Sequence, residues 1–287
     1  MYRDFTELLT QAEERQVPLW RIILENETAL TESDEETVMQ RLSARWSVME
    51  ISTHRALFTP LETALGLISG VAAPQFRYSK RPDTLCGTFL NRVMAYALSC
   101  SEMNAAMGKI CAAPTAGSCG IVPAVLLGIA EERELPREEV LHGLLTASGV
   151  GAVITRNATV AGAEGGCQAE CGAAGAMAAA AAVEMCGGTP AQALEAVSLA
   201  IMNCMGLVCD PVAGLVQLPC AQRNASQAVN ALLSADLALA GMHCGIPTDE
   251  VLGAMKAVGR SLPVSLRETA LGGLAATETA KRIAKEL

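Results

Sequence analysis

The segment AAGAMAAAAAVEM, at residues 173–185, constrains the fold of this chain more than any other part of the sequence. It is nearly all alanine, and a helix that is apolar on every face is usually buried at the centre of a bundle. The whole chain is 51% hydrophobic but only 3% aromatic. Because Ala, Leu and Met favour helices whereas aromatic and β-branched residues favour strands, the sequence predicts an all-α, multi-helix bundle around this Ala-rich helix.

Charge divides the chain into two parts. Residues 1–50 carry eleven acids against five arginines, with helical spacing of apolar positions, so we interpret residues 1–60 as an acidic helical arm or cap. Ser33, with Glu36 three positions later, is the expected N-cap of a helix in this arm. Residues 61–287 form the second predicted domain. The helices expected there lie at roughly 88–110, 121–132, 137–155, 168–186, 190–205, 222–243, 248–258 and 265–284.

Net charge and hydropathy exclude several classes of protein. The net charge is −9 and no basic stripe is present, which argues against nucleic-acid binding. The long uncharged stretches contain Ala, Gly, His or Pro, so we expect buried helices and no membrane partner. We read no apolar signal region at the N-terminus. The eleven cysteines, an odd number, fit reduced thiols in the cytoplasm better than a disulfide framework.

A stretch without any lysine or arginine, from Asn157 to Gln222, holds six of the eleven cysteines. Cys167 follows Gly-Gly, Cys209 precedes Asp-Pro and Cys220 follows Pro, so all three are expected in loops or at helix ends. A soft metal centre with one open position would use such thiols. Inert packing is the usual role of a free cysteine, and it is the alternative for each of them.

The sequence CAAPTAGSCG, at residues 111–120, is the second candidate feature. Thr115, Gly117 and Ser118 lie where one helix ends and another starts, and unpaired amides at a helix start can hold a carboxylate. Ordinary capping by the two hydroxyls is the alternative. Arg156 and Arg223 border the cation-free stretch and are further candidates for a carboxylate, or else solvated charges at helix ends.

GAEGGCQAECG, CDPVAGLVQLPCAQRNA, the NAAMG of 104–108 and PTAGSCG together make the chain resemble the α chain of iron–sulfur-dependent L-serine dehydratase, or L-serine ammonia-lyase. The resemblance runs from about residue 60 onward and makes 61–287 the catalytic domain. It implies a 4Fe–4S cluster held by Cys167, Cys209 and Cys220, which leaves Cys171, Cys186 and Cys204 to packing. It also assigns Asn104, in NAAMG, to substrate binding.

The family chemistry is β-elimination of water from L-serine, which passes through aminoacrylate and iminopyruvate to pyruvate and ammonia. An iron without a protein thiolate would act as Lewis acid on the hydroxyl, and a base would take the α-proton. The base is not assigned: Lys109, beside NAAMG, is a weak candidate, and a partner chain is another. His142 reads as a core residue, and neither His54 nor His243 lies in a family motif.

Departures from the family imply a partner. Single-chain members carry a β domain with a Ser-rich, His-containing motif, and this chain has none, so a separate β chain and an oligomeric enzyme are expected. No cysteine follows Cys244, so the C-terminal cysteine that reaches the open iron in some members is absent. The stretch SGVAAPQFRYSKRPDTL near 69–85 also differs from the family pattern, which indicates a relaxed or altered substrate preference.

Three other functions stay open. The same elimination would serve an L-cysteine desulfidase or a lyase of another β-substituted amino acid. A non-catalytic thiolate metal or redox module would close its site with four protein ligands. A pyridoxal-phosphate lyase would need a lysine in a cofactor loop, for which Lys80 in YSKRP is a poor candidate.

Overall fold

The computed structural model describes all residues from 1 to 287 and contains thirteen α-helices and no β-strand. The first seven are α1 (Phe5–Arg15), α2 (Leu19–Thr31), α3 (Glu35–Phe58), α4 (Ala72–Ser79), α5 (Gly87–Ala105), α6 (Ile121–Glu132) and α7 (Arg137–Asn157). The others are α8 (Gly162–Gly165), α9 (Ala173–Met185), α10 (Pro190–Cys204), α11 (Cys220–Leu239), α12 (Thr248–Ser261) and α13 (Glu278–Ala284). The all-α prediction is confirmed.

The Ala-rich segment is the central helix of the bundle. Every residue of α9 except Glu184 is buried, and α6, α7, α10 and α11 pack around it. Alanine side chains are short, so the surrounding helices can approach α9 closely on all sides. No helix of the chain is both long and apolar enough to cross a bilayer.

The acidic N-terminal helices pack onto this bundle. Phe5, Leu8 and Trp46 are buried in the same hydrophobic core as α9. The expected N-cap lies one residue later than predicted: Asp34, not Ser33, caps α3, and its Oδ1 accepts from the amide of Thr37 at 2.7 Å. The division at residue 60 stays a prediction.

The helix predicted for residues 265–284 is wrong over its first part. Val264–Leu266 and Gly273–Ala276 form single 3-10 turns, and only Glu278–Ala284 is α-helical. Glu268, Ala270 and Gly273 all have positive φ angles, which an α-helix cannot accommodate. The segment therefore turns back toward the cysteines instead of continuing as a helix.

One half-buried acid attaches the N-terminal helices to the centre of the bundle. Glu184, the polar exception on α9, accepts hydrogen bonds from the Leu19 amide at 2.5 Å and the Trp20 amide at 3.3 Å, at the start of α2. The Thr146 hydroxyl of α7 also donates to it. Burial raises the pKa of Glu184. The carboxylate thus satisfies three donors from two other helices.

Replacing Glu184 by alanine should destabilise the protein by about 2–3 kcal/mol, because it leaves buried donors without their acceptor. Denaturant unfolding followed by circular dichroism measures this loss. Glu138→Ala, at an exposed position of α7 without an ion pair, is the matched control. A Glu184→Ala variant as stable as the control would show that water replaces the carboxylate at no cost.

Candidate active site

The three candidate cysteines come from three segments that meet at one place. Cys167 starts a single π-helical turn, Gln168–Gly172, that leads into α9, and such turns are frequent at functional sites. Cys209 lies in the loop after α10, and Cys220 is the first residue of α11. The Gln168 amide donates to the Leu207 carbonyl at 3.0 Å, which holds the first two segments together.

Gly166 allows this close approach. Its φ is +76°, and a Cβ at this position would lie 2.8 Å from the Leu207 carbonyl oxygen. Any other residue would therefore clash with the loop that carries Cys209. The Gly-Gly before Cys167 has a steric reason in the fold.

A segment near the C-terminus completes the site. The Cys209 amide donates to the Leu266 carbonyl at 2.9 Å, and the Glu268 amide donates to the Cys209 carbonyl at 2.8 Å. This isolated parallel bridge between Cys209 and Arg267 is the only β-type pairing in the chain. It brings Glu268 beside Cys209.

The thiols influence one another electrostatically. A hydrogen bond from Cys171, with the Arg223 guanidinium nearby, lowers the pKa of Cys167. Burial and the Cys167 charge raise the pKa of Cys220 to about 12. Burial, Glu170 and Cys167 raise the pKa of Cys209 strongly. One thiolate is thus stabilised here, and further negative charge requires a cation to balance it.

Glu170, which is not among the residues predicted for the site, lies between the thiols and the PTAGSCG turn. Its Oε1 accepts from the Thr115 hydroxyl at 3.0 Å, and its Oε2 lies 3.6 Å from Cys209 Sγ. Burial raises its pKa. Ligand atoms of Glu170, Cys209 and Glu268 all lie within 4.8 Å of one another. The sequence signal that could have found it is an acid three residues after Cys167.

The carboxylate that contacts the PTAGSCG turn is the side chain of Glu170, in the same chain. Thr115 and Ser118 form a reciprocal capping box, and the Ala116 and Gly117 amides have no acceptor within the protein. A Cβ on Gly117 would lie 3.2 Å from Glu170 Oε1. The capping role of the hydroxyls is therefore observed, and their role toward a substrate stays a prediction.

Two asparagines hold the turn in place. Asn104 Nδ2 donates to the Ala116 carbonyl at 3.3 Å. Asn224, on α11, donates to the Gly117 carbonyl at 2.7 Å and accepts from the Gly120 amide at 2.9 Å. Since Cys220 opens the same helix, the turn and the third cysteine share one rigid support.

The two candidate arginines have different positions. Arg223 pairs with buried Asp210 at 2.8 Å and donates to the Val208 carbonyl at 2.8 Å, so it lies at the cysteine loop. Asp210 also accepts from the Leu274 amide at 2.7 Å, which fixes the C-terminal segment. Arg156 is exposed at the end of α7 without an ion pair.

The remaining cysteines and candidate bases are placed as follows. Cys171 and Cys204 are buried, and Cys186 follows the far end of α9. His142 is half-buried and stacks on Trp20 with ring centroids 3.8 Å apart, so it makes a packing contact without being fully buried. His54 and His243 lie beside Glu131 and Glu195, at 3.7 and 3.5 Å. Lys109 is exposed in the segment between α5 and the turn.

Two overlapping sets of donors could hold a metal at this place. One is the three thiols of Cys167, Cys209 and Cys220, whose segments contact one another. The other is the mixed set of Glu170, Cys209 and Glu268, whose ligand atoms lie within 4.8 Å of one another. Soft thiolates suit an iron–sulfur cluster, whereas a mixed oxygen and sulfur set suits a single zinc ion. Because they share only Cys209, substitutions can distinguish them.

Comparison with known proteins identifies the family. A family model described as serine dehydratase alpha chain matches residues 14–275. The L-serine dehydratase alpha chain of Peptoniphilus asaccharolyticus is 49% identical over 286 residues, covering 100% of this chain and 98% of that protein. The probable L-serine dehydratase alpha chain of Bacillus subtilis is 43% identical over 287 residues, covering 100% and 95%.

A longer relative matches over part of its length. L-serine dehydratase 2 of Escherichia coli is 35% identical over 289 residues, which cover 96% of this chain and 61% of the E. coli protein. These matches confirm the resemblance that the motifs indicated. The chain belongs to the serine dehydratase alpha chain family.

Proposed function

We propose that this protein is the α chain of a two-chain enzyme that converts L-serine to pyruvate and ammonia, with an iron–sulfur cluster bound by Cys167, Cys209 and Cys220. The observation that carries the proposal is the convergence of the three cysteine-bearing segments beside the half-buried carboxylate of Glu170. The relatives named L-serine dehydratase support the substrate and the reaction.

The residues present fit such a cluster. Three buried or half-buried thiols are the soft donors that iron–sulfur clusters use. Their mutual effect on pKa disfavours three free thiolates, and a bound cationic centre removes that penalty. Arg223 adds a fixed positive charge beside Cys167. When bound, a cluster with one iron free of protein ligands supplies a Lewis acid for the substrate hydroxyl.

The chain's own residues would bind and orient the substrate. L-Serine is a zwitterion, so its site needs an anion for the ammonium group. Glu170 and Glu268 are the carboxylates beside Cys209, and Thr115 fixes the orientation of Glu170 through its hydrogen bond. We therefore assign the ammonium group to Glu170. The free amides of Ala116 and Gly117 remain the donors for the carboxylate at the turn that the sequence predicts, because the Thr115 hydroxyl already donates to Glu170.

The α-proton requires a base that these contacts do not supply. The three histidines are engaged elsewhere, and Lys109 is exposed near the turn as the candidate within this chain. A residue of the β chain is the other source. Asp210 and Arg223 act as positioning residues, because they tie the loop of Cys209 to the segment of Leu274.

The direct test is anaerobic reconstitution with iron and sulfide, followed by assays of pyruvate formation. We expect L-serine to be converted, with bound iron and sulfide in amounts that match one cluster per chain. L-Cysteine and L-threonine assayed in parallel decide between serine dehydration and the related eliminations. Equal turnover by metal-free protein would refute the cluster.

Glu170→Gln should lower kcat/KM for L-serine about 10- to 100-fold, because the amide keeps the shape but loses the charge that pairs with the ammonium group. The visible absorption of the reconstituted protein should not change, since Glu170 is not proposed as a ligand. Glu164→Gln, an exposed acid on the same segment, is the matched control. Wild-type kinetics in Glu170→Gln would remove Glu170 from substrate binding.

A further inference from the structure

A cavity of about 300 Å³ lies against residues 111–114, at the start of the PTAGSCG segment. Its walls come from α3, α7 and residues 111–114, and its floor includes the buried side chains of Met49, Leu144 and Met177. This volume is at the lower end of the range for small-molecule sites. The floor offers contact to a compact apolar group.

The cavity lining carries positive charge and no negative charge. Arg45 is its only charged residue, and no Asp or Glu is among the lining residues. Arg45 forms no ion pair, and its only hydrogen bond donates to the Arg41 carbonyl at 3.3 Å. Its guanidinium opposes the rise in the pKa of Cys111 that burial causes, so cation and thiol are neighbours. An unpaired arginine above an apolar floor matches an amphipathic anion.

The lining disfavours an ammonium group. Ser148 at the rim is a hydroxyl, and the Thr155 hydroxyl already donates to the Gly151 carbonyl at 2.8 Å. An amino acid bound here would find a cation for its carboxylate but no anion for its ammonium group. The chemistry therefore favours an acid without an amino group.

We propose that this cavity is a binding site for a small monocarboxylic acid with a short apolar chain. Arg45 holds the carboxylate, and the floor formed by Met49, Leu144 and Met177 holds the chain. The proposal is independent of the reaction at the cysteines.

The position of the cavity connects it to the candidate active site. A bound acid would lie against Ala112, Ala113 and Pro114, which run directly into Thr115. The Ala113 carbonyl accepts from the Ser118 hydroxyl at 3.4 Å, and Thr115 donates to Glu170. A carboxylic acid bound in the cavity would pack against residues 112–114 and so affect the position of Thr115. Binding of the acid could therefore regulate the candidate active site.

Isothermal titration of the full 287-residue chain with 4-methylpentanoate tests the proposal, with the neutral 4-methylpentanamide and L-leucine as comparison ligands. We expect the acid to bind, and the amide and leucine to bind at least tenfold more weakly. Arg45→Gln should weaken binding of the acid roughly 10- to 100-fold. Arg55→Gln removes the same charge from an exposed position of α3 outside the cavity and should bind like the wild type.

A second variant and a second measurement test the site without changing the charge of Arg45. Ser148→Phe places a ring over the rim from an exposed position, so it should block binding without disturbing the core. The bound acid should also slow alkylation of Cys111, followed by mass spectrometry of its peptide. Equal binding of acid and amide, wild-type affinity in Arg45→Gln or Ser148→Phe, or no protection of Cys111 would each overturn the proposal.

Discussion

Alanine at Cys167, Cys209 or Cys220 should remove the visible absorption of the anaerobically reconstituted protein, whereas alanine at Cys171 should leave it. Thiolate-bound clusters absorb broadly in the visible, and the loss of one of three ligands leaves the cluster with only two of its thiolates. Turnover should fall with the colour, by roughly 100-fold or more, since even residues behind the ligands usually contribute 10- to 100-fold.

Cys171 makes this experiment sharp because its thiol is a neighbour of Cys167. It is fully buried four residues after Cys167, and its own pKa is raised well above the usual range. Replacement of Cys171 should weaken binding of the cluster without abolishing it. Cys186→Ala, beyond the far end of α9, is the distant control. Bleaching of Cys171→Ala to the extent of Cys167→Ala would show that the ligand set is wrong.

The same series distinguishes the two donor sets. If the metal were bound by Glu170, Cys209 and Glu268, then Glu170→Gln and Glu268→Gln would lose it while Cys220→Ala would retain it. The cluster proposal requires the opposite pattern. Iron and sulfide analysis of each variant decides between them, because a mixed site for a single ion contains no sulfide.

Composition was sufficient to predict the fold class. A segment of alanine with a single acid has no polar face, so it can be stable only with helices on all sides, and α9 has them. Spacing was less reliable at the C-terminus. The apolar pattern of 265–284 suggested a helix, but positive φ angles at Glu268 and Ala270 turn the chain away.

The acids of the site could not be predicted from the sequence, because their positions depend on pairing between distant segments. Glu268 reaches Cys209 through one isolated bridge, and Glu170 meets Thr115 across two turns that are far apart in the chain. The sequence predicted an anion at the PTAGSCG turn. It contained no signal that a carboxylate of the same chain would lie there.

Co-expression with a β chain should raise L-serine turnover by about 100-fold or more over the isolated chain. The base is not among the contacts of this site, and the relatives named alpha chain imply a second chain. This chain also covers only 61% of the E. coli relative. Removal of a general base alone costs 100- to 10,000-fold, so the partner that supplies it accounts for an effect of this size.

Exposed apolar side chains surround the site and define the face that the β chain should cover. Met107 is 93% and Leu271 72% exposed, and Val264 and Leu274 lie on the segment that pairs with Cys209 and Asp210. Val216 lies 3.6 Å from the position of a Cβ on Gly117, at the PTAGSCG turn. A standard interface buries about 1,600 Å², and apolar residues of this kind are its usual centre.

Met107→Asp and Leu271→Asp should therefore weaken association with the β chain at least tenfold, measured by analytical ultracentrifugation of the mixed chains, and should leave the circular dichroism unchanged. Leu85→Asp is the matched control. Leu85 is 98% exposed but precedes the N-terminus of α5, whereas Asn104 contacts the turn from the other end of that helix, about 27 Å away. If Leu85→Asp weakened association equally, the interface would lie elsewhere. If the isolated chain showed full turnover, the base would lie within residues 1–287, and Lys109 would be the first residue to replace.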